Sequence, residues 1–460
     1  MKNQTSHVVQ KMGIMLAFTT AMMGFMLSML QNYATYSYTD LAHIDPGMMA
    51  MCMFLVNCVG VVVTLVSGAI VSVTRSKLGR YRFWLLVGPA IAMFGGFLIF
   101  FNVGDSMILK AVVITIGYLL ANSTMDFVFA SRNTLIGIIA DKDTDARNTL
   151  IGRSMQGQTA CMIISGFAVV PLVRILGSGN QTVGFLLAQA IFTVVVMAGS
   201  IWLITATKDY DPDNSNAEKV KAQRVPFTEM IKAVITNRLA RTVLVSDVVR
   251  FTGYYVLFNM MVYQCTQVIG DMVAMSYVLT ASNFCAFLGS SLAPIACEKL
   301  RGRKRTVQVF GVLSGIAFLS IGIFGKTLWG FTISCSVAFF LFYFLNALDP
   351  MLYMDAGEYW LDKTGKDTRP YLISMYNVAV KVALSLSSLV LGAVLVAINY
   401  QPNVILTGAD ATKMTMVIGL APGLAYLIPV LIMLRHNVSD KEMGEIIKRN
   451  VEKYSLKSVE

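Results

Sequence analysis

A short basic loop between two long stretches without charge constrains this chain most. The loop, residues 74–82, reads TRSKLGRYR, and neither residues 47–73 before it nor residues 83–103 after it contain a charged side chain. Apolar stretches of about 18 or more residues are typical of membrane-spanning helices, and short loops rich in Lys and Arg stay on the cytoplasmic side. The loop therefore predicts a polytopic membrane protein and its local orientation. Its candidate gating and topology residues are Arg75, Gly79, Arg80 and Arg82.

The composition favours the same class. The 460 residues are 56% hydrophobic and 14% charged, whereas soluble domains contain about 25% charged residues. A formal net charge of +11 is compatible with nucleic-acid binding, but the basic residues are spread over short loops in a pattern that follows topology. We therefore expect no nucleic-acid partner. The seven cysteines show no metal-ligand spacing, so we expect neither a metal site nor a disulfide framework.

Twelve apolar stretches are long enough to span a membrane. Their approximate limits are Met12–Tyr38, Met48–Val73, Phe83–Val103, Met107–Ile139, Leu150–Leu176, Val183–Thr207, Leu239–Val268, Met272–Cys297, Val307–Gly325, Leu328–Met354, Leu372–Asn399 and Met414–Leu434. Lys and Arg gather in alternate connections, which predicts that both termini are cytoplasmic. The predicted domains are an N-terminal six-helix bundle (1–207), a cytoplasmic linker (208–238), a C-terminal six-helix bundle (239–435) and a cytoplasmic tail (436–460).

The two sets of six spans repeat each other. The basic turn at Gly79, after span two, recurs at Gly302, after span eight, 223 positions later. The same offset relates Asp126 in span four to Asp349 in span ten. Two parallel halves around an axis along the membrane normal are typical of the major facilitator arrangement, which places the solute between the halves near the bilayer midplane. We therefore predict an all-α membrane protein with twelve transmembrane helices in two pseudo-symmetric six-helix bundles.

Charged side chains within the spans are the first candidates for a solute site. A charge at the centre of a span costs at least ~2.5–3.5 kcal/mol, so it needs a partner, a water-filled cavity or a function. Asp126 lies in the middle of span four, one helical turn after Asn122. Arg153 opens span five, with Gln156 three residues later, and Lys381 lies deep in span eleven. Such groups suit a hydroxyl-rich or anionic solute, because they form charge-assisted hydrogen bonds.

Polar stripes at helical spacing accompany these charges. Span eleven carries Ser374, Asn377, Lys381, Ser385 and Ser388. We interpret this stripe as cavity lining rather than as interhelical contacts. Span one carries Thr20, Gly24, Ser28, Gln31 and Thr35, with Gln31 a candidate solute ligand. This second stripe is equally compatible with a cavity and with close helix packing. For Asp247 and Arg250 in span seven we prefer a structural pairing with each other or with loop charges.

At these residues the chain resembles the glycoside–pentoside–hexuronide:cation symporters, typified by melibiose permease. The resemblance is carried by residues 74–84 (TRSKLGRYRFW), Met125-Asp126, Asp141-Lys142, Arg153, Asp355-Ala356-Gly357-Glu358-Tyr359, Lys381 and Tyr400-Gln401-Pro402-Asn403. It implies that Asp126 and Arg153 contact the substrate, that Asp126 also takes part in coupling, and that Lys381 lies by the cation site. The acidic end of span ten, Asp355 and Glu358, is a further candidate gating element.

Two departures from the family pattern concern the coupling ion. Sodium-coupled members carry two acids in span two, and the matching positions here are Gly60 and Thr64. In the family, an acid in span one binds the sugar. Its position would fall near Gly24 here, and span one of this chain contains no acid. These changes argue against Na⁺ and predict coupling to H⁺ through Asp126, with uncoupled exchange as the alternative. Lys381, left without these carboxylates, is expected to pair with Asp126 or to take the electrostatic place of the cation.

The leading hypothesis is a secondary active transporter for a glycoside, sugar or related organic solute, acting as a monomer in the cytoplasmic membrane without a cofactor. One alternative keeps the fold but changes the cargo to a lipid-like or steroidal amphiphile or an organic anion, moved by facilitation or exchange. Another is a membrane sensor that transports nothing, for which Lys381 would be dispensable. An enzyme is disfavoured, because the three histidines lie at ends or in loops and no nucleophile–base constellation is present.

Overall fold

The protein is helical throughout its described part. The computed structural model describes residues 2–140, 144–215, 232, 234–299, 303–365, 369–398, 400–402, 404–433 and 438–455, and these residues contain no β-strand. The helices are α1 (Lys2–Tyr36), α2 (Pro46–Val73), α3 (Arg80–Phe100), α4 (Met107–Ala140), α5 (Thr144–Gly177), α6 (Gln181–Ala206), α7 (Arg238–Tyr263), α8 (Ala274–Lys299), α9 (Arg303–Phe324), α10 (Leu328–Asn346), α11 (Asp349–Thr364), α12 (Arg369–Ala397), α13 (Gly408–Met433) and α14 (Asp440–Ser455).

The helices follow the predicted spans. In the described part of the chain, ten stretches are long and apolar enough to cross a membrane, and they include α1–α6, α9, α10 with α11, α12 and α13. Large apolar side chains point away from the protein, as at Ile175 (74% exposed), Val194 (70%) and Ile323 (71%). Exposure of this kind is favourable when lipid replaces water around the helices. The all-α membrane fold is thus confirmed, whereas the count of twelve spans stays a prediction.

The tenth predicted span is not a single regular helix. It consists of α10, which ends at Asn346, and α11, which begins at Asp349 and is followed at once by Pro350. Proline has no backbone N–H and its ring clashes with the preceding turn, so it fits the first turn of a helix but interrupts a helix interior. The break puts Asp349 in the first turn of α11, where helix dipoles favour negative charge.

Small residues let neighbouring helices approach closely. A Cβ at Gly95 in α3 would lie 2.5 Å from the carbonyl oxygen of Gly117 in α4. A Cβ at Gly157 in α5 would lie 1.9 Å from the carbonyl oxygen of Ala17 in α1. Close approach at small residues is a common way to pack helices in lipid, where no hydrophobic effect drives them together. These contacts fix the position of α4 and α5, which carry most of the candidate site residues.

The contacts divide the chain into two compact units. The first consists of Met1–Arg224, Met261–Thr280 and Leu391–Ile405, and the second of Val225–Met260, Ala281–Val390 and Leu406–Glu460. In the first unit α1 packs on α5 and α6, and α4 packs on α2 and α3. In the second unit α9 packs on α10 and α13. The predicted linker 208–238 lies in large part outside the described residues, as does the predicted basic turn at Gly302.

The predicted cytoplasmic tail contains the helix α14, which docks on α11. Asn450 Nδ2 donates to Glu358 Oε2 (2.7 Å) and to the Glu358 carbonyl (2.9 Å), and Arg449 pairs with Asp362 (2.9 Å). Met443 and Ile446, three residues apart on one face of α14, are buried. Glu358, a candidate gating residue, is therefore a docking point for the tail, and Asp355 is buried one turn earlier.

Candidate solute and coupling site

The polar site around Asp126 is built by α2 and α4. Thr64 Oγ1 donates to Asp126 Oδ2 at 2.9 Å, and Asn122 Nδ2 donates to Asn57 Oδ1 at 3.1 Å. Asn122 and Asp126 are four residues apart, and Asn57 and Thr64 seven apart, so each pair occupies one face of its helix. Asn57 and Asn122 are buried, whereas Thr64 and Asp126 are half-buried. The structure thus brings two predicted site residues together with the span-two position at which sodium-coupled members carry an acid.

The polar stripe of α1 packs against α5. Thr20 Oγ1 lies 3.1 Å from Ser154 Oγ, and Ser28 Oγ donates to Ser165 Oγ at 2.6 Å. Between them, a Cβ on Gly24 would lie 2.8 Å from the sulfur of Cys161. Of the two interpretations left open above, close packing therefore holds for these positions. The spot that resembles the family's sugar-binding acid has no room here for a carboxylate.

The candidate ligands on α5 lie together. Arg153 is exposed, and its Nη1 donates to Gln156 Oε1 at 3.2 Å, one turn along the helix. The aliphatic stem of Arg153 reaches α1, because a Cβ on Gly13 would lie 3.0 Å from its Cγ. Gln31, the candidate on α1, is half-buried. An exposed guanidinium whose stem is held in this way can form charge-assisted hydrogen bonds to an anionic or hydroxylated group.

Lys381 lies in the middle of α12 and is half-buried, with Asn377 exposed one turn earlier. Ser385 Oγ donates to the Lys381 carbonyl (3.0 Å), and Ser388 Oγ donates to the Leu384 carbonyl (2.9 Å). Serines that bond back to their own helix satisfy their hydroxyls locally. Part of the predicted stripe therefore serves the helix itself, which leaves Lys381 and Asn377 as its candidates for solute contact. The side chain of Ser374 lies outside the described residues.

A buried charged cluster in the second unit was not among the predicted site residues. Arg250 Nη2 donates to Asp247 Oδ1 at 3.0 Å and also to Asp349 Oδ2. The three residues are 2% (Asp247), 4% (Arg250) and 1% (Asp349) exposed. The preferred pairing of Asp247 with Arg250 is therefore correct but incomplete. The repeat offset that relates Asp349 to Asp126 was the sequence signal that pointed to the third member.

The basic loop is capped by an acid far along the chain. Asp211 accepts hydrogen bonds from the backbone N–H groups of Arg80 (3.0 Å), Tyr81 (2.7 Å) and Arg82 (2.8 Å) at the start of α3. Arg82 Nε in turn donates to the Ile204 carbonyl at 2.6 Å. Gly79 has φ +98°, and a Cβ there would lie 2.3 Å from the Asp211 carbonyl oxygen. The loop therefore needs glycine at position 79, and Asp211 fixes the start of α3.

Replacing Asp211 with Ala is expected to lower the free energy of unfolding by about 1–2 kcal/mol, since three N–H groups of a helix start lose their acceptor. The measurement is denaturant unfolding of purified protein, with Asp213→Ala as the matched control two residues away. Asp213 is fully exposed, and its carboxylate accepts from the backbone N–H of Ser215, two residues along the loop. Equal stability of the two variants would show that the Asp211 cap does not hold the loop.

A second polar cluster lies where α1 ends. The π-helical turn Ser37–Leu41 follows α1, and another, Gln264–Ile269, follows α7. The Asp40 carboxylate, 3% exposed, accepts from Tyr400 Oη at 2.6 Å and from Thr39 Oγ1 at 2.8 Å. Thr39 Oγ1 also lies 2.9 Å from Tyr263 Oη. π-helical turns are rare and often mark functional positions. Sequence reasoning missed this cluster, because its members lie in three distant segments.

A family model described as MFS/sugar transport protein matches residues 15–440. The uncharacterized symporter YjmB of Bacillus subtilis (strain 168) is 24% identical over 429 residues, which cover 92% of each chain. A Salmonella typhimurium (strain LT2) protein, provisionally named a 2,3-dihydroxypropane-1-sulfonate exporter, is 23% identical over 423 residues, or 90% of each chain. The crystal structure of nucleoside transporter NupG superposes with a TM-score of 0.63 at 10% identity, covering 93% of this chain and 100% of that one. The likeness to NupG concerns the fold alone.

Proposed function

Because the chain belongs to the MFS/sugar transport protein family, we propose that it is a secondary active transporter that moves a glycoside, sugar or related organic solute by alternating access, driven by H⁺ rather than Na⁺. The family match confirms the predicted membership, and the chain is a multi-pass membrane transporter for small solutes rather than an enzyme. The choice of solute and of coupling ion is our proposal.

The proposal includes a topology. Twelve membrane helices form two six-helix bundles, 1–207 and 239–435, with both termini on the cytoplasmic side of the cytoplasmic membrane and one chain sufficient for transport. The basic loop 74–82 supports this orientation, because short loops rich in Lys and Arg stay cytoplasmic. In this orientation the Asp40 cluster lies at the opposite, external end of α1, where it would help to hold that end closed.

The solute ligands that we propose are Asp126, Asn122, Arg153, Gln156 and Gln31 from the first bundle, with Lys381 and Asn377 from the second. Carboxylate and amide groups suit hydroxyls, while guanidinium and ammonium groups suit an acidic substituent. We assign Asp126 and Lys381 to coupling as well. Loop residues Arg75, Gly79, Arg80 and Arg82, with Asp355 and Glu358, are assigned to the cytoplasmic gate.

The hydrogen bond from Thr64 to Asp126 is the observation that carries the choice of H⁺. At the position where sodium-coupled members carry an acid, this chain offers Asp126 the neutral hydroxyl of Thr64. A hydroxyl adds no second negative charge to this part of the site. A hard cation such as Na⁺ needs several oxygen ligands and nearby negative charge, whereas a proton needs only one carboxylate oxygen.

A stability screen of the purified protein tests the proposed function. We expect sugars, glycosides or sugar sulfonates to raise the melting temperature, because a ligand that binds only the folded state stabilises it. The shift should increase as the pH falls, because symport requires solute and proton to bind the same state. It should not change when Li⁺ or Na⁺ is added. Stabilisation by amphiphiles alone, or only in the presence of Na⁺, would overturn the proposal.

A second candidate is the exchange or export of a hydroxylated organic anion. It is supported by the relative named for 2,3-dihydroxypropane-1-sulfonate and by the exposed guanidinium of Arg153. This function predicts stabilisation by sulfonates at all pH values and counterflow of labelled sulfonate without a pH gradient. Strict dependence of that counterflow on a pH gradient would exclude simple exchange.

A further inference from the structure

The buried cluster of Asp247, Arg250 and Asp349 contains one more acid than base. A single nitrogen, Arg250 Nη2, donates to both carboxylates. Within the described part of the chain, Asp349 Oδ1 and Arg250 Nε have no hydrogen-bond partner although both atoms are buried, and Asp247 has the Tyr353 hydroxyl beside it as a further donor. With both acids ionised the cluster would carry one net negative charge and at least one unsatisfied carboxylate oxygen. A buried charge of this kind is strongly unfavourable unless it is neutralised.

Among the residues that the structure describes around the cluster, none supplies a second positive charge. Tyrosines from three neighbouring helices lie close enough to interact with it electrostatically: Tyr353 of α11, Tyr376 of α12 and Tyr426 of α13. The helices α9 and α10 contribute the apolar contacts Val307, Gly311 and Leu345. All three tyrosines are neutral near pH 7. The described part of the cluster is therefore one positive charge short of balance, and a bound cation would supply that charge.

The space beside the cluster decides which cation fits. The cavity lined by the three charged residues measures about 10 Å³, which is at the lower limit for one water molecule. Apart from the three charged residues, its polar side chains are those of Ser246 and Tyr426. An alkali or divalent ion needs several oxygen ligands around it. A proton needs no cavity and only one carboxylate oxygen.

We propose that the Asp247–Arg250–Asp349 cluster is a proton-binding site and that its proton takes part in coupling. The proton resides on Asp247, because Asp349 lies in the first turn of α11, where the helix dipole favours the ionised form. Binding converts the Asp247 carboxylate to the acid and cancels the net charge of the cluster. Release to water leaves two carboxylates on one guanidinium. In the sequence repeat, the offset of 223 positions relates Asp349 of this cluster to Asp126 of the first bundle.

The coupling role rests on the proposed transport function, but the proton itself can be observed without a solute. Infrared difference spectra of the purified protein between acidic and alkaline pH report the carbonyl stretch of buried carboxylic acids. We expect such a band in the wild type and its loss in both D247N and D349N, because either change leaves one carboxylate paired with Arg250. Asp410→Asn, at an exposed ion pair of the same unit, should keep the band. A wild type without the band, or persistence of the band in both variants, would overturn the site.

Flux in proteoliposomes tests the role in coupling. The assay uses a solute that stabilises the wild type. In D247N, accumulation driven by a pH gradient should be at least tenfold lower than in the wild type. Counterflow of the solute with equal pH on both sides should be retained. Accumulation equal to that of the wild type would contradict the coupling role. If the wild type counterflows but never responds to a pH gradient, the proposed H⁺ symport fails and the coupling role with it, whereas the proton site is still decided by the infrared band.

Discussion

Replacing Asp126 with Asn is expected to abolish solute-induced stabilisation and to reduce transport at least about tenfold. The carboxylate offers charge-assisted hydrogen bonds worth roughly 1.5–3 kcal/mol each, which corresponds to about 10–150-fold in affinity. Asn keeps the size of the side chain, and its oxygen can still accept from Thr64 (2.9 Å in the wild type). The folded structure should therefore survive. Binding is measured by calorimetry and by the melting temperature with and without solute.

The matched control for this prediction is Asp105→Asn, in the exposed connection between α3 and α4. It makes the same chemical change outside the site and should leave binding unchanged. Thr64→Val, which removes the hydroxyl that donates to Asp126, should have an intermediate effect on the pH dependence of binding. Full binding by D126N would remove Asp126 from the solute site.

Replacing Arg250 with Met is expected to destabilise the protein by about 3–5 kcal/mol, the usual cost of leaving a buried charge uncompensated. Both Asp247 and Asp349 would lose the Arg250 donor, and their side chains are only 3% and 1% exposed. We expect low yield and a melting temperature well below that of the wild type. Arg241→Met, an exposed arginine on the same helix, should change stability by less than about 0.5 kcal/mol.

A triple variant separates charge from packing at this cluster. D247N/R250M/D349N removes all three charges together and should be more stable than Arg250→Met alone, because no uncompensated charge remains. The comparison uses the melting temperature and the yield of folded protein after size exclusion. If the triple variant were no more stable than the single one, packing of the guanidinium rather than charge balance would hold these helices together.

The positions of most helices could be predicted well, because the sequence pattern that marks a membrane span lies within the span itself. Absence of charge over some twenty residues marks a span wherever it occurs, so predicted limits such as Met107–Ile139 differ little from the helix Met107–Ala140. The break at Asp349 was missed. To predict the break, Pro350 would have to be assigned to the first turn of a new helix rather than to the interior of one long helix. The π-helical turns after α1 and α7 leave no clear trace in the sequence.

The candidate site was predictable only where partners share a helix. Arg153 with Gln156, and Asp247 with Arg250, are three residues apart and pair as helical spacing suggests. Partners from other helices could not be found in this way. Thr64 meets Asp126 across 62 positions. The family resemblance, rather than spacing, singled out Thr64 as the place of a missing acid and grouped it with Asn57 and Asp126 as a poor ligand set for Na⁺.

Long-range contacts also decided between interpretations that the sequence left open. The stripe around Gly24 could have lined a cavity, and its contacts with Ser154, Cys161 and Ser165 of α5 show that it packs. The conformation of the basic loop likewise depends on Asp211, 132 positions after Gly79, because the Asp211 carboxylate caps the start of α3. In each case the residue type was visible in the sequence, whereas its role depends on a neighbour that only the folded chain supplies.

Solute accumulation in sodium-free proteoliposomes tests the central claim most directly. With a hydroxylated solute chosen by the stability screen, an inwardly directed H⁺ gradient (acidic outside) should drive the internal solute concentration above the external one. A protonophore should reduce the internal concentration to the external value. Addition of Na⁺ on either side should change neither rate nor extent. Accumulation that requires a Na⁺ gradient and ignores the pH gradient would contradict the account of a transporter coupled to H⁺.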